Sequence, residues 1–379
     1  MTDFVEYYSS CHPRFRVADF AARSFRPEIL ESALARLAEK GAGILHAAVA
    51  GNSFEGRPVR LITAGTGAST VLLWSQMHGD ESTATMAICD ILNFLIGSSG
   101  EPHVREILAA CTLYFLPMLN PDGAARFQRR TAQGIDMNRD ARVLRTPEAR
   151  LLRDLQKRLK PAFGFNLHDQ ELSTVGASRD ITALSLLAPA SDAAKSENDV
   201  RRRAKQVAAV FADAMNALIP GRLARYDDSF EPRAFGDNMQ AWGTSTVLVE
   251  SGHVPGDAEK DTPRRLNFIG ILASLNAIAS GSFAPRDTGV YENLPFNGKR
   301  AYDVVVRNVR ILDGTKAPVT ADLGISSQVD THSEPPAKLV DIGDLNPFAG
   351  MVDVDAKGKT IQASECRLGS PFEWQQHFA

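Results

Sequence analysis

Four short runs of almost wholly apolar residues constrain the fold of this chain more than any other feature. They are residues 71–77 (VLLWSQM), 111–119 (CTLYFLPML), 162–167 (AFGFNL) and 245–249 (STVLV). Runs of this length without polar alternation suit strands covered on both faces. Helix-spaced stretches separate them. Residues 28–40 and 82–96 repeat apolar positions at helical intervals, with Met86, Leu92 and Ile96 in the second. Residues 146–159 carry Thr146 at the N-cap, Pro147 in the first turn and Glu148 at the positive end of the dipole. A long polar helix is expected over 195–218. Another opens at Thr262-Pro263, with Leu266, Ile269, Leu272 and Leu275 on its buried side. Strands alternating with helices predict an α/β unit, a mixed and largely parallel sheet with helices on both faces.

The 379 residues suit one large domain and a small one. After Gly281 the texture changes: 282–300 is rich in Pro, Gly and Asn, and 302–379 shows short alternating runs between turn residues. The expected division is a first domain over 1–285 and a small β-rich domain over 300–379, with a loop at 327–336. A net charge of −3 gives no field that favours nucleic acid or an anionic membrane. No apolar run reaches the roughly 18–20 residues that span a bilayer. No basic start followed by an apolar stretch is visible, which predicts a cytoplasmic protein or one whose leader has been removed. Cys11, Cys89, Cys111 and Cys366 are scattered and are expected to be reduced and structural. Oligomeric state is not constrained.

In sheets of this kind, sites form where strands end. The first run leads into Met77-His78-Gly79-Asp80-Glu81, where an imidazole and a carboxylate three apart can converge on one ion. A histidine with a nearby glutamate is also a common accident. The third run delivers His168 to the same predicted edge, where a lone histidine is more often simply packed. Together His78, Glu81 and His168 form a His-Glu-His set of the kind that holds zinc with one open position. The fourth run ends in Val249-Glu250-Ser251-Gly252. A carboxylate there is costly unless it is solvated, paired or working. Glu250 is either salt-bridged to an arginine or a general base that takes a proton from metal-activated water. Most of Arg126, Arg129, Arg130, Arg139, Arg142 and Arg145 are expected to be solvated, with one or two near the metal.

In this order the motifs resemble the zinc carboxypeptidase superfamily, over roughly residues 45–255. Gly51-Asn52-Ser53-Phe54-Glu55-Gly56-Arg57-Pro58 looks like its lead-in, and His78-Gly79-Asp80-Glu81 like its HxxE motif. Asn120-Pro121-Asp122-Gly123, Asp136-Met137-Asn138-Arg139, His168 and Glu250 follow in sequence. The wording is closer to bacterial members than to pancreatic ones. The resemblance implies one zinc ion on His78, Glu81 and His168, with Glu250 as base and proton shuttle. It implies Arg129 as the oxyanion-stabilising arginine, with Arg130 the alternative. It implies Asn138 and Arg139 as the grip on a substrate's terminal carboxylate, and Asp136 as the carboxylate that orients a ligand histidine. Tyr226 is the nearest candidate for the tyrosine that closes over substrate, although its surroundings do not align clearly. The stretch from Glu81 to His168 is shorter than in the digestive enzymes, so surface loops differ. The residue that selects the side chain is not placed.

The implied reaction is hydrolysis of the C-terminal bond of a peptide, or of an acyl amino acid bearing a free carboxylate. Related activities are deacylation of N-acyl amino acids and cleavage of γ-linked or cell-wall peptides. A contrasting reading is an inactive module that binds C-termini, disfavoured because every required residue type is present. Residues 302–314 are similar to the opening β segment of amidohydrolases but carry no metal motif of that family, so a structural module is expected there. His12, His46, His103, His253, His332 and His377 are assigned to surface or packing, with His253 the only one near the proposed site.

Overall fold

The computed structural model describes residues 2–327 and 337–378. The loop expected at 327–336 therefore lies outside the described residues apart from Ser327, as does His332. Eight strands form the main sheet: β1 (Leu45–Asn52), β2 (Pro58–Ala64), β3 (Ser69–Ser75), β4 (Cys111–Leu116), β5 (Phe163–Asp169), β7 (Leu184–Leu187), β8 (Leu223–Arg225) and β9 (Ser245–Ser251). The two-residue β6 (Thr174–Val175) lies outside it, paired with β10 (Asn297–Gly298). The strand order is β1-β2-β4-β3-β5-β9-β7-β8. The central four, β4-β3-β5-β9, are mutually parallel, and antiparallel neighbours join at both sides.

All four apolar runs are these central strands, and their alternation explains why no polar face exists. Val71 and Leu73 enter one core, with Phe165, Val247 and the helices Thr83–Gly97, Asp199–Leu218 and Asp261–Ser280. Leu72 and Trp74 enter a second core on the other face, with Leu152 and Leu155 of Pro147–Leu159 and with Phe235 and Met239 of Phe235–Ala241. Leu266, Ile269, Leu272 and Leu275 are all buried, each stabilising by roughly 1.5–3 kcal/mol. Thr146 caps its helix as expected, its side chain accepting from Ala149 N at 3.1 Å. Asp140 in turn accepts from Thr146 N and Oγ1, tying the helix start to the segment that carries Asn138 and Arg139. The helix expected from 195 begins at Asp199, where the Asn198 side chain accepts from Arg201 N. Ala208, Phe211 and Met215 give this otherwise polar helix a buried face.

The chain leaves the sheet earlier than the apolar run 71–77 implies. β3 stops at Ser75, and Gln76 takes a left-handed conformation, with φ 52°. Its side chain holds the turn, Nε2 donating to Gly79 O at 2.8 Å and Oε1 accepting from Thr85 Oγ1 at 2.9 Å. Strands β7 and β8, at the far side of the sheet, are too short for periodicity to reveal.

Beyond the linker, β11 (Ala301–Leu312), β12 (Val319–Ser326), β13 (Lys338–Gly343), β14 (Ala349–Asp355) and β15 (Thr360–Gln362) form a second sheet. It has its own core around Val304, Val306, Val309, Leu323, Ile325 and Leu339. Cys11, Cys89, Cys111 and Cys366 are free thiols. Among the described residues, no helix is long and apolar enough to cross a membrane.

Candidate metal centre

Because β3, β5 and β9 run parallel, their carboxyl ends meet at one edge of the sheet. His78 and Glu81 lie in the turn after β3, His168 on β5, and Glu250 directly opposite His168 in the β5–β9 register. His78, Glu81 and His168 are buried, and one ligand atom from each lies within 4.8 Å of the others. The two imidazoles approach one carboxylate from either side: His78 Nδ1 is 2.7 Å from Glu81 Oε1, and His168 Nδ1 is 2.7 Å from Oε2. Asp169 N also donates to Oε2.

The opposite nitrogen of His78 lies 3.0 Å from Asp136 Oδ1. An Nε2 proton shared with that carboxylate leaves the neutral ring's Nδ1 lone pair facing Glu81. A lone pair and a carboxylate oxygen at this distance repel unless a positive charge lies with them: a proton, a metal, or the Arg129 guanidinium, whose Nη1 is near both atoms. Two imidazole nitrogens and one carboxylate, buried and anchored from behind, make a donor set that fits zinc.

The charges follow the same geometry. Burial alone would lower His78, but Glu81 and Asp136 outweigh it and raise the ring to about 9. Among the described residues His168 has no second carboxylate partner, and burial keeps it below its ordinary value. Burial opposes ionisation of Glu81, yet the two rings hold its carboxyl well below the usual range. Burial, and then the nearby Glu81 charge, pushes Glu250 well above it. Among the described residues Glu250 Oε2 is buried without a hydrogen-bond partner, so the salt-bridged alternative for this residue finds no support there.

Arg129 and Arg130 are separated by their surroundings. Arg129 Nη1 is 3.0 Å from Glu81 Oε1 and 3.1 Å from His78 Nδ1, and its Nε and Nη2 donate to Asp136 Oδ2. Arg130 turns away and donates to Gly134 O within its own loop. Asn138 is buried, its Oδ1 accepting from Phe235 N at 2.8 Å, which leaves its amino group to donate elsewhere. Arg139 is exposed and pairs with Glu231 at 3.5 Å. Tyr226 follows β8 at the rim. Glu250, and then burial, raise its hydroxyl well above the usual tyrosine range, which places it within electrostatic reach of that carboxylate. His253 is half-buried, and burial followed by Lys260 lowers it to about 3.

The lead-in and the Asn120-Pro121-Asp122-Gly123 motif meet at one carboxylate. Asp122 accepts from Ser53 Oγ, Glu55 N and Arg57 Nη1. Below the cluster, Lys260 is buried and donates to Asp169 Oδ2 at 3.2 Å and Ser251 O at 3.1 Å, while Thr83 Oγ1 donates to the same Asp169 oxygen. Sequence reading missed this support. Asp169 had a signal in its position beside His168, but nothing marks Lys260 as its partner.

Residues 30–179 match the family model described as zinc carboxypeptidase. A probable carboxypeptidase 2 of Trichophyton verrucosum is 26% identical over 214 residues, covering 53% of this chain and 40% of that protein. Carboxypeptidase 2 of Trichophyton rubrum is 25% identical over 154 residues, covering 38% and 28%. The chain thus spans less than half the length of these curated relatives. Among solved structures, a metallo-carboxypeptidase from Burkholderia cenocepacia superposes with a TM-score of 0.56 at 20% identity, covering 68% of this chain and 70% of that one. Carboxypeptidase A from Helicoverpa armigera gives 0.54 at 16%, covering 74% and 81%. These likenesses share the mixed α/β fold. The family match runs across His78, Glu81 and His168, so residues 30–179 of this chain resemble a zinc carboxypeptidase domain.

Proposed function

We propose that this chain is a zinc-dependent metallocarboxypeptidase that hydrolyses the C-terminal bond of peptides, with one ion on His78, Glu81 and His168. The observation that carries this reading is the convergence of those three side chains beside Glu250, whose Oε2 is buried without a partner. The similarity to carboxypeptidases supports it. Zinc held there would supply a Lewis acid that polarises a carbonyl and acidifies water.

The chain's own residues do the rest. Asn138 and Arg139 bind the free carboxylate of the substrate, which fixes which bond reaches the cluster. Arg129 presents a guanidinium to the carbonyl oxygen as negative charge develops there. Glu250 takes a proton from the attacking water and passes it to the departing amine. Tyr226 lies at the rim, in a position to contact bound substrate. Asp136 holds the His78 ring in one tautomer and orientation.

The test compares zinc-loaded protein on peptides with free and amidated C-termini, by mass spectrometry, beside Glu250→Gln. Removal of single C-terminal residues from free peptides only, with at least about 10²–10⁴-fold loss in Glu250→Gln, is expected. Equal cleavage of amidated peptides rejects the exopeptidase reading. Activity confined to N-acyl amino acids or to γ-linked or cell-wall peptides assigns the chain to that related chemistry instead.

A further inference from the structure

The last rung of the β5–β9 ladder lies one residue beyond the cluster. His168 stands opposite Glu250 in that register, and Asp169 stands opposite Ser251, after which both strands end. Strand ends fray unless something holds them. Here Gln170 N donates to Ser251 O at 3.0 Å, and Asn267 Nδ2 donates to Ser251 Oγ at 2.9 Å. On the facing strand, Asp169 N donates to Glu81 Oε2 at 3.2 Å. The spacing of this rung therefore reaches both the metal-binding carboxylate and the residue next to Glu250.

A single ammonium spans the rung. Lys260 Nζ donates to Asp169 Oδ2 at 3.2 Å on β5 and to Ser251 O at 3.1 Å on β9. Lys260 is 2% exposed, and its backbone is left-handed, with φ 55°, at the residue before the helix Asp261–Ser280. That conformation costs a non-glycine residue about 1–3 kcal/mol, and burial of the ammonium adds to the cost. Charge balance does not account for the placement. Among the described residues Asp169 Oδ1 is buried without a hydrogen-bond partner, so the ammonium does not satisfy the carboxylate. Its two acceptors belong to two strands, and each is next in sequence to a member of the site, Asp169 to His168 and Ser251 to Glu250.

We propose that Lys260 is a positioning residue for the general base: it clamps the ends of β5 and β9 so that Glu250 keeps a fixed distance from His168 and Glu81. This rests on the reading of Glu250 as the base. Proton transfer from water needs the carboxylate within hydrogen-bond reach, and a displacement of about 1 Å caused away from the chemistry can cost about 10²-fold in rate. Among the described residues Lys260 bonds to neither Glu250 nor a metal-binding side chain, so its effect passes through the two strands. The metal-binding side chains have support of their own. Asp136 holds His78, and Glu81 bridges the two rings. Loss of the clamp therefore spares the ion and moves the base.

Two variants test this. Lys260→Met removes the clamp and leaves Asp169 without its counter-charge. Lys260→Met combined with Asp169→Asn removes the clamp and the stranded charge together, and the amide oxygen can still accept from Thr83. On peptides with free C-termini, both variants should lose about 10–10²-fold in kcat, with KM and zinc content near those of the unaltered chain. The double variant should regain the denaturant midpoint lost in Lys260→Met but not the kcat. Crystal structures of the zinc-loaded unaltered chain and double variant read the same claim without turnover: Glu250 should stand about 1 Å further from His168 in the variant. Recovery of kcat together with stability, loss of zinc in step with kcat, failure of both variants to fold, or an unmoved Glu250 overturns the clamp. An unaltered chain that cleaves no peptide overturns the carboxypeptidase reading instead, and the crystal structures still decide the clamp.

Discussion

Gly79 and Gly123 pack backbone against backbone: a Cβ on Gly79 would lie 2.1 Å from the Gly123 carbonyl carbon. The turn that carries His78 and Glu81 therefore rests directly on the Asn120-Pro121-Asp122-Gly123 turn. Gly79 N also approaches Arg129 O at 3.4 Å, so the same contact sets the distance from His78 to Arg129. Gly79→Ala should destabilise by about 3 kcal/mol, since neither neighbour is a flexible side chain. Urea unfolding measures this, and zinc retention on dialysis should fall with it. A variant with parental midpoint and full zinc retention would show that the turns can separate without consequence.

Asp136→Ala removes the carboxylate behind His78 and frees the ring to rotate. Zinc affinity should fall about 10–100-fold, read by competition with a chromophoric chelator. Unchanged affinity would mean that Arg129 and burial suffice to hold the ring.

The metal-free chain should depend on pH through His78. Its folded value, about 9, is above its unfolded value of 6.5. Its stabilising contribution is therefore complete below pH 6.5 and is lost as pH rises through 9. Metal must displace the same proton, so zinc affinity should rise across that window and loading should release acid. Calorimetry in buffers of different ionisation enthalpy counts the proton. No release at pH 7 would contradict a protonated His78.

Arg139→Ala should raise KM for peptides with free C-termini by roughly thirtyfold, about 2 kcal/mol for a lost charge-assisted contact. Zinc content should not change, because Arg139 pairs with Glu231 and not with the cluster. A change in kcat alone would remove Arg139 from carboxylate binding.

Far from the cluster, Arg264 and Asp90 form a fully buried two-point pair, with Nε and Nη2 each 2.7 Å from a carboxylate oxygen. His12 Nε2 lies 3.0 Å from the same carboxylate, so this histidine is a packing residue with a defined partner. Asp90→Ala leaves a guanidinium buried without its counter-charge and should cost about 3–5 kcal/mol by denaturant unfolding. A loss below about 1 kcal/mol would show that water reaches Arg264.

The central strands were legible because burial on both faces leaves an unbroken apolar run, which few other elements produce. The helix at Pro147 was legible for a local reason too, since a cap needs only neighbours in sequence. The short strands β7 and β8 were not, because three or four residues carry no period. Nor was the end of β3: Gln76 turns left-handed through contacts with Gly79 and Thr85, and its apolar neighbours Val71–Trp74 and Met77 disguise the break.

For the site, the amino-acid order alone determined that two histidines and two glutamates lie at strand ends and that the motifs follow a zinc carboxypeptidase pattern. Only the tertiary structure decided which arginine reaches Glu81, that Asp136 backs His78 and not His168, that Lys260 supports Asp169 and that Asn297 of the linker bonds to Gln170. Each of those depends on contacts between segments far apart in the chain. Spacing along a sequence cannot fix the direction in which a side chain turns once strands have been assembled side by side.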